Sequence, residues 1–221
     1  MQIVGCSFPA KNLREGEVLS SLSNAVKNGK DQPLVIFGFS WGIPFSEEGD
    51  IAEKLEKAVE NSSKVIFISS SAVYSRKVFS PYCENDTKHY PKDLFGIADT
   101  GVEEVLTDLC FDKKKCLVIL RPDLIIDDQY IDILYAKQRA GKLEGSPFET
   151  VCPIPLDYLW KIIRKVAGDF IPSSYVYNIG GSNIDTFSLY RSLGLNPKMN
   201  FYFSNKALDC STAKIDGLID G

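Results

Sequence analysis

Four short apolar runs separated by stretches of helical periodicity constrain this chain more than any other feature. The runs are residues 2–5, 33–39, 64–69 and 116–121. Each is of strand length, and they alternate with segments whose apolar residues recur every three to four positions. Residues 15–26 carry Val18, Leu19, Leu22 and Val26; residues 50–59 carry Ile51, Leu55, Ala58 and Val59; residues 99–109 carry Val102, Val105, Leu106 and Leu109. Strands alternating with helices predict βαβ units and a parallel sheet. Asn28-Gly29 reads as a helix stop. Beyond Arg121-Pro122 a second part follows. Residues 156–166 form an amphipathic helix with Leu156, Leu159, Trp160, Ile163 and Val166 on one face, and residues 175–181 read as a strand ending in a turn. At 221 residues the chain suits one domain, or one domain with a small appendage.

Composition removes several function classes. A net charge of −4, one His and no long basic run argue against nucleic-acid binding, which needs clustered Lys and Arg. The short run Lys113-Lys114-Lys115 reads as a solvated turn before a strand. No apolar stretch reaches the roughly 18 residues of a membrane span, and the N-terminus enters a strand directly rather than forming a signal peptide. The six Cys are scattered without a C-x-x-C pair, which fits reduced thiols in a cytoplasmic protein and no metal site.

One segment carries a sharper signal. After the strand-like residues 64–68 comes Ser69-Ser70-Ser71-Ala72-Val73-Tyr74, and 25 residues past Ser70 comes Phe95-Gly96-Ile97-Ala98-Asp99. This frame resembles the extended short-chain dehydrogenase/reductase family, the NAD-dependent nucleotide-sugar epimerases and dehydratases. In that family a Ser or Thr precedes a Tyr-x-x-x-Lys segment. Leu117-Val118-Ile119-Leu120-Arg121-Pro122, Tyr175 through Gly181 and Leu208 through Lys214 are similar to later segments of the same family, so the likeness runs over most of the chain. The resemblance implies a shortened Rossmann-like doubly wound parallel sheet (residues 1–122) with a small C-terminal substrate-type subdomain (residues 123–221), some of whose segments return to the core sheet.

The same resemblance marks what is missing. Phe95 stands at the Tyr position and has no proton to give. Asp99 stands at the Lys position and places an anion where the family has a cation that lowers the Tyr pKa from about 10. A proton shuttle of this kind contributes roughly 10²–10⁴ in rate. The only Y-x-x-x-K in the chain spans Tyr202 to Lys206, far from Ser70. The glycine-rich turn that the family uses for a pyrophosphate is reduced here to Gly5, with Phe8 and Lys11 at the other two positions. About thirty residues separate the first strand from residues 33–39, which look like the family's fourth strand, so the second and third strands are expected to be deleted, together with the acidic residue that grips the adenosine ribose.

These losses predict no cofactor, with NAD(P) as the alternative. They point to a non-redox relative that binds a nucleotide sugar or a related metabolite, or acts as a pseudoenzyme partner in surface-polysaccharide biosynthesis. The alternative is a sugar-modifying enzyme with relocated chemistry. Candidate catalytic residues are Ser70, Asp99, Glu84 and His89, the last being the one side chain that ordinarily titrates near neutrality. Ser70 also fits a cap on local backbone, and Asp99 fits favourable placement near a helix start. Candidate substrate contacts are Ser70, Ser71, Arg121 and Asn178. Arg121 suits a phosphate, or a pair with Asp123 or Asp127. The family's habit of pairing through the helix that bears Tyr-x-x-x-Lys suggests a homodimer, or a heteromer with an active homologue.

Overall fold

The computed structural model describes residues 1–5, 18–28, 31–41, 51–74, 91, 93–169 and 174–201. In chain order the elements are β1 (Gln2–Val4), β2 (Val18–Ser20), α1 (Leu22–Asn28), β3 (Leu34–Phe37), α2 (Ile51–Asn61), β4 (Lys64–Ile68), α3 (Leu94–Asp112), β5 (Cys116–Pro122), β6 (Leu124–Ile126), α4 (Asp128–Arg139), β7 (Glu144–Gly145), β8 (Thr150–Val151), β9 (Pro153–Pro155), α5 (Leu156–Gly168), β10 (Tyr175–Ile179), β11 (Ile184–Asp185), α6 (Thr186–Ser192) and β12 (Lys198–Met199).

Six strands form one sheet in the order β10-β5-β4-β3-β1-β2, and every pairing in it is parallel. Side chains of a strand alternate between faces, and here both faces are covered, as a parallel sheet requires. Ile66 and Ile68 of β4, with Val118 and Leu120 of β5, pack on Leu159, Trp160 and Ile163 of α5. Val65 and Phe67, with Leu117 and Ile119, pack on Leu55 and Val59 of α2 and Leu106 of α3. Trp160 is fully buried, with its ring centroid 6.0 Å from that of Phe37. Truncating a ring in such a place to Ala costs about 3–5 kcal/mol. The C-terminal residues add three two-stranded ribbons, β6–β9, β7–β12 and β8–β11. A small core of Leu134, Leu143 and Leu195 lies with them.

Two expectations about the first half are corrected. Residues 15–26 do not form one helix. Val18–Ser20 pairs with β1 as a parallel edge strand, and the Ser21 hydroxyl accepts from the Asn24 N–H at 3.2 Å, starting α1 at Leu22. The free backbone edge of β1 outweighs the helical spacing of Val18 and Leu19. The second strand is therefore shortened to an edge strand rather than deleted, and β3 follows α1 directly.

Helix α3 is longer than its periodicity suggests and is turned differently. Asp93 caps it, accepting from the Gly96 N–H at 2.7 Å. Its buried face is Gly96, Asp99, Glu103, Leu106 and Cys110. On the opposite side Leu94, Ile97 and Val105 are exposed, Ile97 by 53%. Two carboxylates thus face inward while aliphatic side chains face outward.

Candidate functional site

In an open parallel sheet ligands sit outside the C-terminal strand ends, where the strand order reverses. Here that point lies between β1 and β3. Gly5 ends β1 against Phe37; a Cβ at Gly5 would come within 2.8 Å of the Phe37 Cβ, so the close approach requires glycine. Beside it β3 ends in Gly38-Phe39-Ser40-Trp41, and β4 ends in Ser69-Ser70-Ser71.

Asp99 ties these ends together. Its Oδ1 accepts from the Phe39 N–H at 2.6 Å. Its Oδ2 accepts from the Ser40 hydroxyl at 2.5 Å and the Ser70 hydroxyl at 3.0 Å. The two hydroxyl oxygens are 2.8 Å apart. The residue is fully buried. Burial pushes its carboxyl above the ordinary carboxylate range, against the pull of the Ser40, Ser70 and Phe39 hydrogen bonds. A Cβ at Gly38 would be driven onto the same carboxylate. Asp99 is therefore a clamp across two strand ends and a helix, rather than a charge set to favour the helix dipole. Ser70 also accepts from the Ala72 N–H, capping the single turn Ser71–Val73. Phe95, one helical turn before Asp99, is 57% exposed.

A second buried network closes the end of β5. Arg121, 2% exposed, donates through Nε at 2.9 Å and Nη2 at 2.5 Å to the two carboxylate oxygens of Glu103. Its Nη1 donates to the Tyr74 hydroxyl at 2.7 Å, and that hydroxyl donates to Asn178 Oδ1 at 2.7 Å. Burial pushes the Tyr74 hydroxyl up, with the Arg121 charge pulling the other way. Arg121 thus pairs with Glu103, not with Asp123 or Asp127, and its fork is occupied. Asp123 is used elsewhere: it accepts from the Ser71 hydroxyl and, at 2.8 Å, from the Cys152 N–H.

The structure therefore gathers Ser70 and Asp99 in one cluster and Arg121 and Asn178 in another. Glu84, His89, Phe8, Lys11, Tyr202 and Lys206 lie outside the described residues. Ser40, Tyr74 and Glu103 are the members that sequence reading passed over. A signal existed for Glu103: it stands four residues after Asp99, so two carboxylates share one helix face, and the burial of one requires partners for both. Among the described residues no group of three His, Cys, Asp or Glu could hold a metal ion, and no helix is long and apolar enough to cross a membrane.

No protein-family profile and no curated protein sequence matches the chain. Solved structures do. MoeE5 in complex with UDP-glucuronic acid and NAD matches at TM-score 0.69 and 16% identity, over 92% of this chain and 79% of that one. A UDP-glucuronic acid 4-epimerase from Bacillus cereus, in complex with UDP-glucuronic acid and NAD, matches at 0.67 and 19%, over 96% and 78%. A UDP-N-acetylglucosamine 4-epimerase from Methanobrevibacter ruminantium M1, in complex with UDP-N-acetylmuramic acid, matches at 0.69 and 19%, over 90% and 75%. At these identities the likeness is one of fold: the chain has the Rossmann-like fold of the nucleotide-sugar epimerases, in shortened form.

These structures also overturn the expectation of no cofactor for this chain and point to NAD, since neighbours that match over nine-tenths of the chain are held with it. Within the described residues Gly5 does not by itself mark a dinucleotide site, because the space its missing side chain leaves is taken by Phe37. Nor does Asp99, because its carboxylate has no exposed surface and both oxygens are bonded.

Proposed function

We propose that this protein binds a nucleotide sugar at the C-terminal strand ends and does not carry the Tyr–Lys proton shuttle of catalytically active relatives. The single observation that carries this reading is the state of Asp99. A carboxylate replaces the cation, and it is fully buried with three hydrogen-bond donors already on it. Phe95 adds no titratable group. No step in this reading runs through NAD. What supports the ligand class is the fold, whose neighbours are held with UDP-sugars.

The outward face of α3 supports a partner as part of this reading. Leu94, Ile97 and Val105 are exposed on one side of the helix, and Gly101, also exposed, lies between them on the same face. A second copy of this chain packed there would cover them in an isologous pair.

Thermal unfolding of the full chain with UDP-glucose, UDP-glucuronic acid, UDP-N-acetylglucosamine and NAD tests the proposal. A ligand at 100 times its Kd adds about 2.7 kcal/mol, which for a chain of this size raises Tm by about 5–11 °C. Stabilisation by a UDP-sugar without turnover is the expected result. No shift with any UDP-sugar at millimolar concentration removes the ligand class. Sugar-dependent reduction of NAD removes the non-redox part.

A further inference from the structure

A cavity lies at the other end of the sheet from the candidate site. It is lined from the first residues of β4, β5 and β10 and the last turn of α3, with a volume of about 870 Å³. That is within the range of sites for small molecules. β5 runs seven residues from this end to the strand-end crevice, which places the two about 20 Å apart at roughly 3.3 Å per residue.

The lining has two characters. Leu117 and Val176 give it an apolar interior, and Phe111, 83% exposed, stands at its rim, while Tyr175 is stacked on Tyr177 on the other face of the sheet. Three lysines are among the lining residues: Lys114 and Lys115 follow α3, and Lys64 turns its ammonium to the α5 face of the sheet. None of them is in an ion pair with a carboxylate among the described residues. Lys64 is only 8% exposed and donates to the carbonyls of Val166, at 2.8 Å, and Asp169. Those acceptors carry no net charge, and an ammonium has three N–H donors, so one is left over. Lys115 donates to the Ser62 carbonyl at 2.7 Å. The Asp169 carboxylate that also lines the cavity is shared with Lys165 at 3.5 Å. A cluster of positive charge is thus held against apolar walls in a protein whose net charge is −4, the arrangement that concentrates anions.

We infer that this cavity is a binding site for a small organic phosphate bearing a planar apolar group. The ammonium charges of Lys114 and Lys115 suit the compact charge of a phosphate monoester. The ring of Phe111 and the floor of Leu117 and Val176 suit a flat apolar body.

The test uses the full chain and 1-naphthyl phosphate, followed by naphthyl fluorescence, with 1-naphthol and inorganic phosphate as the two halves of the ligand. Saturable binding is expected for the ester, with each half at least about tenfold weaker. Lys114→Glu, in an exposed turn, reverses one charge at the rim and weakens the ester by about tenfold or more. Thr107→Trp, on the exposed side of the lining, fills the opening and weakens it likewise without touching a charge. UDP is titrated as the marker of the other end, and its affinity is expected to be the same in both variants. The inference is overturned if the ester does not saturate at millimolar concentration, if 1-naphthol binds as well as the ester, if neither variant changes its affinity, or if both variants shift UDP in parallel with it. A failure of UDP to bind at all counts against the proposed function and leaves the variant comparison decisive here.

Discussion

Glu103→Gln is the perturbation that best separates a structural Arg121 from a ligand-binding one. In the native protein the guanidinium spends Nε and Nη2 on Glu103 and Nη1 on Tyr74, and both partners of the ion pair are buried. Gln at 103 keeps one acceptor oxygen but turns an amide N–H₂ toward the other guanidinium donor. Arg121 then stays charged and 2% exposed, with its bidentate carboxylate gone. Removing one partner of such a pair costs about 3–5 kcal/mol, against a total stability of roughly 5–15 kcal/mol. At about 2–4 °C per kcal/mol for this size, Tm falls by about 6–20 °C. Replacing both partners, Glu103→Leu with Arg121→Met, is expected to recover most of the loss, because the desolvation of both charges disappears with them. Guanidinium unfolding of wild type, both single variants and the double variant, read by Trp fluorescence and far-UV circular dichroism, gives the coupling energy of the cycle. A loss under about 1 kcal/mol in Glu103→Gln, or a double variant as damaged as the sum of the singles, would refute the reasoning. UDP-sugar affinity measured on the double variant is expected to be unchanged; a large loss would return Arg121 to the ligand.

Asp99 gives a pH signature. Its folded pKa is raised, so the stabilisation of the native state by its proton is fully present below the unfolded value near 3.9 and is lost as pH rises through the raised folded value; wild type minus Asp99→Asn stability should decline with pH across that window, and a flat difference would contradict it. Gly38→Ala drives a methyl onto the Asp99 carboxylate, with an expected cost of about 1–3 kcal/mol that is smaller in an Asp99→Ala background, as a double-mutant cycle would show. Ile97→Asp on the outward face of α3 should convert a dimer to a monomer in sedimentation; a monomeric wild type removes the α3 contact. Lys114 adopts φ 54 at the end of α3, where glycine carries no penalty, so Lys114→Gly should stabilise by about 1 kcal/mol in thermal unfolding while weakening 1-naphthyl phosphate.

The layer architecture was legible because it follows from burial alone. Residues such as Val65, Ile66, Phe67 and Ile68 are apolar on both faces, which fits a parallel strand and little else. α2 and α5 were equally plain, since their apolar spacing matches the face they bury. α3 was not, because its apolar side chains lie on the wrong side. Periodicity marked Val102, Val105, Leu106 and Leu109, whereas the buried face carries Asp99 and Glu103, and no apolar pattern can report a face whose burial is secured by hydrogen bonds. β2 was missed for a related reason: three residues are too few for a period, and the edge of β1 decided their conformation. The position of Ser70 beside Asp99 followed from the segment resemblance. Ser40 reaches Ser70 and Asp99 from the end of β3, and Tyr74 reaches Arg121 and Asn178 from beyond β4, and nothing local in sequence announces either meeting.

The position of β10 at the sheet's edge also sets a timetable. Tyr175 pairs with Val118, 57 residues earlier (175 − 118 = 57). A nascent chain emerging at about 5–20 residues per second therefore carries β5, rich in Leu, Val and Ile, as a bare strand edge for several seconds before its neighbour exists. Such an edge is a template for pairing with any other chain, and the loop closure that ends the exposure is a slow, non-local one. Yield during synthesis should thus depend less on the final stability of this sheet than on how quickly residues 175–179 arrive to cover it.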